Sequence, residues 1–494
     1  MNQQPKHPAP PAPPAPPAFD NSYARLPERF FSHQLPTPVA AAAQIRINKP
    51  LATQLGIDPA WLESAAGLAM LAGNTMPAGA TPIATVYAGH QFGNWNPQLG
   101  DGRAVLLGEL LDSQGRRFDL QLKGCGPTAY SRGGDGRAPL GPVLREYLVS
   151  EAMFALGVPT TRSLAAVTTG EGVWRETALP GAVLARVASS HIRFGTCQFF
   201  AARKDIDGLT LLADHVIARH YPQAAASDNP YLALLEGVIS KVAALVSQWQ
   251  QIGFIHGVMN TDNMLLSGET IDYGPCAFMD NFDPRQVYSA IDRGARYAFQ
   301  NQPDIAHWNL MTLAQALLPL IDTDQEQSVT LARTALDTFT SQFYAHHLQG
   351  MAAKLGLSAP TADDETLVRD LLTIMAQEQL DYTLTFRHLS DPLDHPLLPA
   401  ALNTWLARWL ARAARESQPE ASRYAAMQQR NPLCIPRNHL IEGVIQTAVA
   451  TGDLAPFNEL AEVLARPFDN IHRDTRFALP PRPEERVEQT FCGT

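Results

Sequence analysis

The sequence predicts an α+β protein of two lobes. A strand-rich lobe comes first and a helical lobe follows, with one extension before them and a helical extension after them. Three observations carry this expectation. Strand-length apolar runs, punctuated by glycine turns, crowd residues 81–193. From about Gly208 the apolar spacing turns helical, most clearly in Leu232, Leu235, Val238, Ile239, Val242, Leu245, Val246 and Trp249. The 494 residues, at about 150 per domain, suffice for roughly three domain-sized units.

Each segment has its own warrant. Eight of the 39 prolines fall in residues 1–17, interleaved with alanine and without hydrophobic period, so residues 1–18 read as an extended, disordered tail. Residues 19–80 form the N-terminal extension, and residues 81–195 the strand-rich lobe. Within that lobe, 103–111 and 117–122 read as strands joined by the turn Asp112-Ser113-Gln114-Gly115, and Lys123 ends the second. A glycine-dense loop leads into a helix over 142–156, where Pro142 fits the first turn because its missing N–H has no intrahelical partner to lose. Strands return at 163–168 and 181–187. Residues 196–345 form the helical lobe, whose long helix Gly253 stops before the stretch FIHGVMNTDNMLLSGETIDYGP. Residues 346–494 form the helical extension, with turns at Asp391-Pro392 and Asn431-Pro432 and a cysteine near the end.

Composition excludes several function classes. Thirty-eight Lys and Arg against 48 Asp and Glu give a net charge of −10, which argues against a nucleic-acid partner. Five cysteines, with no CxxC pair, are neither a secreted disulfide framework nor a structural zinc site. No apolar run reaches the roughly 18 residues of a membrane span, and the first residues lack the features of a secretory signal. The expectation is a cytoplasmic bacterial protein with no membrane partner, acting as a monomer.

The chemistry lies in an ordered set of residues. Gly100-Asp101-Gly102-Arg103 makes a glycine turn whose backbone N–H groups can approach phosphate oxygens. Lys123 supplies a point charge, and Glu146, 23 residues later on the helix, can hold it by ion pairing. Asn263 and Asp272 offer the hard oxygens a divalent metal needs. No member of the set is specific alone. In this order and spacing they resemble a protein kinase-like bilobal fold. There is one large departure: HGVMNTDN at 256–263 keeps the His and Asn of a kinase catalytic loop but puts Val258 at the base position. Valine accepts no proton. A carboxylate reappears at Asp262, and Asp272-Tyr273-Gly274 keeps the metal-binding aspartate.

The chain resembles the selenoprotein O family from residue 19 to 494. The resemblance rests on FDNSYARLPERF (19–30), YAGHQFG (87–93), PQLGDGRA (97–104), QLKGCGPTAYSRGGDGRA (121–138) and GAVLARVASSHIRFGT (181–196). HGVMNTDNM (256–264), IDYGP (271–275), NPLCIPRN (431–438) and the terminal FCGT complete it. Asn94-Trp95-Asn96 departs from the glycine-rich stretch expected after HQFG.

The resemblance implies transfer of AMP from ATP to Ser, Thr or Tyr hydroxyls of proteins, with Mg²⁺ or Mn²⁺ as cofactor and ATP bound in reversed orientation. It implies nucleotide contacts at Gly100, Gly102, Arg103, Lys123, Asp135, Gly136, Arg186, Arg193 and Asp272, with Glu146 as the lysine's partner. It implies Asp262 as proton acceptor and Asn263 and Asp272 as metal ligands. It further implies a redox role for Cys492, for which Cys276 is the candidate partner. Use of UTP, and a catalytically inactive nucleotide-binding pseudokinase, stand as alternatives.

Each residue also has a plainer reading. Lys123 can be a solvated strand-end lysine, and Asp262 an N-cap or turn residue. Arg186 and Arg193 can pair with acidic side chains. His256 reads as a structural buttress, and His90, His346 and His347 lack partners at metal-ligand spacing. Arg437 and Asn438 read as packing anchors of the C-terminal extension.

Overall fold

Alternation along two neighbouring strands places Lys123 and Arg186 on one face of the central sheet. In the computed structural model, which describes residues 15–392 and 398–491, the N-terminal segment gives β1 (Phe31–His33) and β2 (Ala43–Ile47), then helices α1 (Lys49–Gln54), α2 (Pro59–Glu63) and α3 (Ala65–Leu71). Strands β3 (Ile83–Gln91), β4 (Asn94–Gly100), β5 (Ala104–Leu111), β6 (Arg117–Lys123) and β7 (Ala138–Pro139) follow, then helix α4 (Leu140–Ala155) and the hairpin β8 (Arg162–Trp174) and β9 (Ala178–Ala188). The sheet is antiparallel, in the order β1-β3-β5-β6-β9-β8-β2, with β4 beside β3 and β7 beside β9. The edge strands β1 and β2 thus come from the segment read as an extension. Residues 1–14 of the proline–alanine stretch lie outside the described residues.

Period-two alternation sorts the side chains. Leu120 and Leu122 of β6 join Val183, Ala185 and Val187 of β9 in a core with Leu51, Trp61, Leu62 and Leu71 of α1–α3. Gln121 and Lys123 face the other way, and the register sets Gln121 opposite Arg186. On that side α4 packs against β8 and β9. Pro142 lies in the first turn of α4, as expected, although the helix begins two residues earlier, at Leu140. The hairpin is longer than the sequence predicts: β8 continues past Thr168 through Thr169-Gly170-Glu171-Gly172, where the register is bulged.

The helical lobe begins earlier than the apolar spacing indicates. α5 (Phe194–Ala202) starts at Phe194, not near Gly208. Residues 194–200 are buried all round, so the helix has no apolar stripe to reveal it. α6 (Ile206–His220) and α7 (Pro230–Ile252) follow. α7 is capped by the Asn229 side chain, which accepts from Leu232 N, and ends at Gly253, whose φ of 70° supplies the left-handed turn. By length and composition α7 could cross a bilayer, but half of its apolar window is buried, and it packs against α8 (Gln302–Ile321) and α10 (Thr338–Lys354). β10 (Phe254–Ile255) and β11 (Ala277–Phe278) pair antiparallel and pin both ends of the loop 256–276. α9 (Gln325–Leu336) lies between α8 and α10 in the chain.

The C-terminal part is α11 (Ala362–Gln377), α12 (Tyr382–Leu389), α13 (Asn403–Ala413), α14 (Glu420–Arg430), α15 (Asn438–Thr451) and α16 (Ala455–Leu464). α15 and α16 pack on α4. Arg437 is fully buried and pairs with Asp280 and with Asp381 (2.8 Å), an anchor as the sequence suggests. The end of the described chain returns to the loop after Asp272: Thr490 N donates to Tyr288 O (2.7 Å) and Thr490 Oγ1 to Pro275 O (2.5 Å).

Candidate active site

A cleft of about 540 Å³ lies between the sheet, α4 and the loop 256–276. It brings together Gly100, Gly102, Arg103, Lys123, Asp135, Gly136, Glu146, Arg186, Arg193, Asp262, Asn263 and Asp272 along its wall. Cys276 is not among the lining residues; its thiol is buried and donates to Tyr273 O at 3.3 Å. Cys492 lies outside the described residues.

The cleft is organised around Asp272. Lys123 Nζ sits 2.9 Å and Arg186 Nη1 2.8 Å from its Oδ1, and Arg193 Nη1 sits 2.9 Å from its Oδ2. Lys123 also reaches Glu146 Oε2 (2.5 Å), and Arg186 reaches Glu146 Oε1 (3.1 Å). The solvated-lysine reading of Lys123 therefore does not hold. The two arginines do pair with acids while also lining the cleft. Burial alone would raise both acids. The cations outweigh it and hold Glu146 below, and Asp272 well below, the usual carboxylate range. Asp272 has a φ of 65°, a strained left-handed conformation that the surrounding ion pairs hold in place.

Asp262 sits in a short 3₁₀ turn, Thr261–Asn263, whose N-cap is Asn260, so Asp262 is a turn residue and not a cap. Burial raises its carboxyl, with the Gln91 hydrogen bond and the Arg193 charge opposing. Val258, at the kinase-base position, also lines the cleft. His256 is buried, its imidazole pulled down to about 4 and so neutral, with Nε2 3.0 Å from Ile271 O. It buttresses the loop.

Asn263 Nδ2 donates to Val258 O at 2.9 Å, which leaves the amide oxygen as the atom for a ligand. That oxygen and the ionised Asp272 are hard donors on one cleft, and they fit a divalent cation of the Mg²⁺ type. Among the described residues no cluster of three His, Cys, Asp or Glu side chains could hold a metal by itself.

The glycine turns are built for close approach. A Cβ on Gly100 would stand 2.4 Å from Tyr130 Cγ, and one on Gly136 2.1 Å from Gly126 carbonyl carbon. Thr128 Oγ1 donates to Asp101 O (2.7 Å) and Ser131 Oγ to Gly102 O, tying the two glycine loops together. At the rim, Asp135 accepts from Arg137 N (2.9 Å) and pairs with Arg175 (2.9 Å).

Sequence reasoning missed the support behind Asp262. Gln91 Nε2 donates to Asp262 Oδ2 (3.0 Å), His90 N to Thr261 Oγ1 (2.7 Å) and Phe92 N to Asn260 Oδ1 (2.9 Å). The end of β3 therefore clamps the loop. The run YAGHQFG contains these residues, but nothing in it names a partner some 170 positions away. The Tyr87 ring, from the same run, lies 4.8 Å from the Arg193 guanidinium.

Comparison with known proteins places the chain. Residues 17–465 match the family model described as protein adenylyltransferase SelO. A protein nucleotidyltransferase YdiU of Bradyrhizobium sp. (strain BTAi1) is 59% identical over 485 residues, covering 96% of this chain and 99% of that one. Its namesake in Rhodopseudomonas palustris (strain BisB5) is 58% identical over 486 residues, with the same coverage. The chain belongs to the SelO family, and its kinase-like fold serves a protein nucleotidyltransferase.

Proposed function

We propose that this enzyme transfers AMP from ATP to Ser, Thr or Tyr hydroxyls of proteins and releases pyrophosphate, with Mg²⁺ or Mn²⁺ as cofactor. The observation that carries the reading is the convergence of Lys123, Arg186 and Arg193 on Asp272, in a cleft where Val258 replaces the kinase base. With Arg103 on the same cleft they bring four positive charges to a triphosphate, and guanidinium forks suit its oxygens. The α-phosphorus as target follows the family's description as an adenylyltransferase.

In this reading the acceptor hydroxyl oxygen bonds to the α-phosphorus. The bond from that phosphorus to the bridging oxygen breaks, and pyrophosphate leaves with the electron pair. The hydroxyl proton passes to Asp262, whose raised pKa suits it to take one. Gly100 and Gly102 let the backbone approach the nucleotide beside Arg103, while Asp135 and Gly136 flank the base at the rim. Lys123, held by Glu146, and Arg186 and Arg193 bear the phosphate charge. A cation held by Asn263 and Asp272 would add Lewis-acid stabilisation of the developing charge.

A redox role for the chain's end belongs to the same reading. Thr490 is seated on Pro275, next to Cys276, so a reversible Cys276–Cys492 disulfide would fasten the tail beside the loop after Asp272. Peptide mapping of the oxidised protein should recover the linked pair. Recovery of both as thiols after oxidation refutes it.

The test of the transfer is incubation of the purified chain with protein substrate, Mg²⁺ or Mn²⁺, and nucleotide labelled at a chosen phosphate. Label should pass to protein from α-labelled ATP and not from γ-labelled ATP. Transfer from the γ-position would make it a kinase, and stronger labelling from UTP a uridylyltransferase. Nucleotide binding without transfer to any protein, the enzyme itself included, would make it an inactive scaffold.

A further inference from the structure

A second cavity, of about 420 Å³, lies between α7, α10, the end of α14 and the turn that follows α4. It shares no lining residue with the nucleotide cleft. Lys354 and Arg430 line it, and no aspartate or glutamate does, in a chain whose net charge is −10. Four glutamines, Gln248, Gln251, Gln349 and Gln429, line it too, with Ser247 and His346.

Two of these groups lack ion-pair and hydrogen-bond partners among the described residues. Lys354, the last residue of α10, is 2% exposed. Among the described residues no carboxylate lies within ion-pairing distance of its ammonium and no oxygen accepts from it. Its ammonium lies over two aromatic rings, Phe386 at 4.3 Å and Tyr382 at 5.8 Å from Nζ. Burial, then the nearby Arg430, pulls the ammonium down to about 7. Gln248 Oε1 is likewise buried with no hydrogen-bond partner among the described residues. An unpaired buried charge and an orphaned acceptor each cost free energy, which a ligand of matching chemistry would return.

The site is also held open by defined contacts. Gln251 Nε2 donates to Ser247 Oγ (2.8 Å) and His346 O (3.3 Å), bridging α7 to α10. Asn431 Nδ2 donates to Lys354 O (2.8 Å), fixing the end of α10 to the chain just past α14. A Cβ on Gly350 would stand 2.0 Å from Gln251 Oε1, so glycine is what lets the helices meet there.

We propose that this cavity binds a small hydroxylated organic anion, a carboxylate or a phosphate ester. Its charge is met by Lys354 and Arg430, and a hydroxyl donates to Gln248 Oε1. The volume falls in the range of small-molecule sites, about 300–1,000 Å³, which leaves room for a carbon skeleton. The occupant also touches Leu156-Gly157-Val158, just past the helix that carries Glu146. The proposal stands apart from the choice of nucleotide and from catalysis.

Calorimetric titration of the full chain in metal-free buffer at constant ionic strength tests it, with citrate, glycerol 3-phosphate and inorganic phosphate as probes. Citrate or glycerol 3-phosphate should bind saturably at one site, and whichever binds names the anion class. Lys354→Met, which keeps the buried stem, should weaken binding about tenfold or more, and Arg430→Gln several-fold. Arg430 is exposed, so its variant carries the test even if the Lys354 variant fails to fold. Absence of saturable binding by the two organic probes at millimolar concentration overturns the proposal. So does binding left unchanged by the substitutions, since that places the anion in another site.

Discussion

Gln91 Nε2 donates to Asp262 Oδ2 at 3.0 Å, across 171 residues of chain. The other carboxylate oxygen, Oδ1, is buried and has no hydrogen-bond partner among the described residues. It lies against Gly89, where an added Cβ would stand 2.8 Å from it. Strand β3, and not only the loop that carries Asp262, therefore sets the position of this carboxylate. One oxygen is anchored, and the other keeps its lone pairs free of hydrogen bonds among the described residues.

Burial raises the Asp262 carboxyl, so its ionisation should govern the acid side of the pH–rate profile. The apparent pKa there should exceed the ~3.9 of a free aspartate. Asp262→Asn should lower kcat by about 10²–10⁴ and abolish that limb. Stability should move the opposite way. Between the ordinary and the raised value, the folded chain holds a proton that the unfolded chain releases, so stability falls as pH rises through that window. The Asn variant should thus resist urea better than the parent at neutral pH. A persisting acid limb in the variant removes Asp262 from the role of base.

Gly89→Ala tests the position of the carboxylate without touching its chemistry. The new methyl would meet Asp262 Oδ1 at 2.8 Å and its Cβ at 3.1 Å, and the Gln91 bond leaves little freedom to retreat. A displacement approaching 1 Å costs about 10²-fold in rate when it misplaces a reacting group. The loss should fall on kcat, with nucleotide affinity nearly unchanged. Equal losses in kcat and nucleotide affinity would mean that the substitution had disturbed the whole cleft.

What the sequence discloses follows the range of each interaction. Lys123 at a strand end, Glu146 on a helix and Gly253 as a stop are local patterns, and the structure places them as those patterns indicate. α5 stayed hidden because residues 194–200 are buried on all sides and leave no stripe. β1 and β2 are too short for a period to declare itself, and they become strands by pairing with β3 and β8. The clamp of Gln91, His90 and Phe92 on the loop 260–262 joins segments some 170 residues apart. One chain without its relatives holds no trace of such a pairing. The motif was visible, and its partner was not.

Glu146 is the cheapest probe of the ion network. It neutralises Lys123 and Arg186 from a buried position, and those cations hold it ionised below the usual range. Glu146→Gln would leave Lys123 and Arg186 with Asp272 as their remaining carboxylate, one that Arg193 already shares. Breaking a buried pair in this way costs about 3–5 kcal/mol, read as a lower urea midpoint at neutral pH. The contribution is present above the ordinary Glu range and disappears as pH falls through the lowered folded value, so parent and variant should converge in acid. A constant difference at all pH values would mean that packing, not charge, is what the glutamate provides.

Arg437 links the C-terminal helices to the segment that follows Asp272. Its guanidinium is fully buried and spans Asp280 and Asp381, two carboxylates of which Asp280 is raised by burial despite the arginine. Arg437→Met keeps most of the packed stem but removes the cation that bridges the two carboxylates. The variant should lose about 3–5 kcal/mol. Because Asp280 lies at the exit of β11, which pins the loop 256–276, activity should fall with temperature well before the chain unfolds globally. Far-ultraviolet dichroism and initial rates, measured on one temperature ramp, separate the two events. The reading requires the rate to collapse at the lower temperature. Coincident transitions would show that the extension stabilises the enzyme as one unit and does not selectively hold the loop.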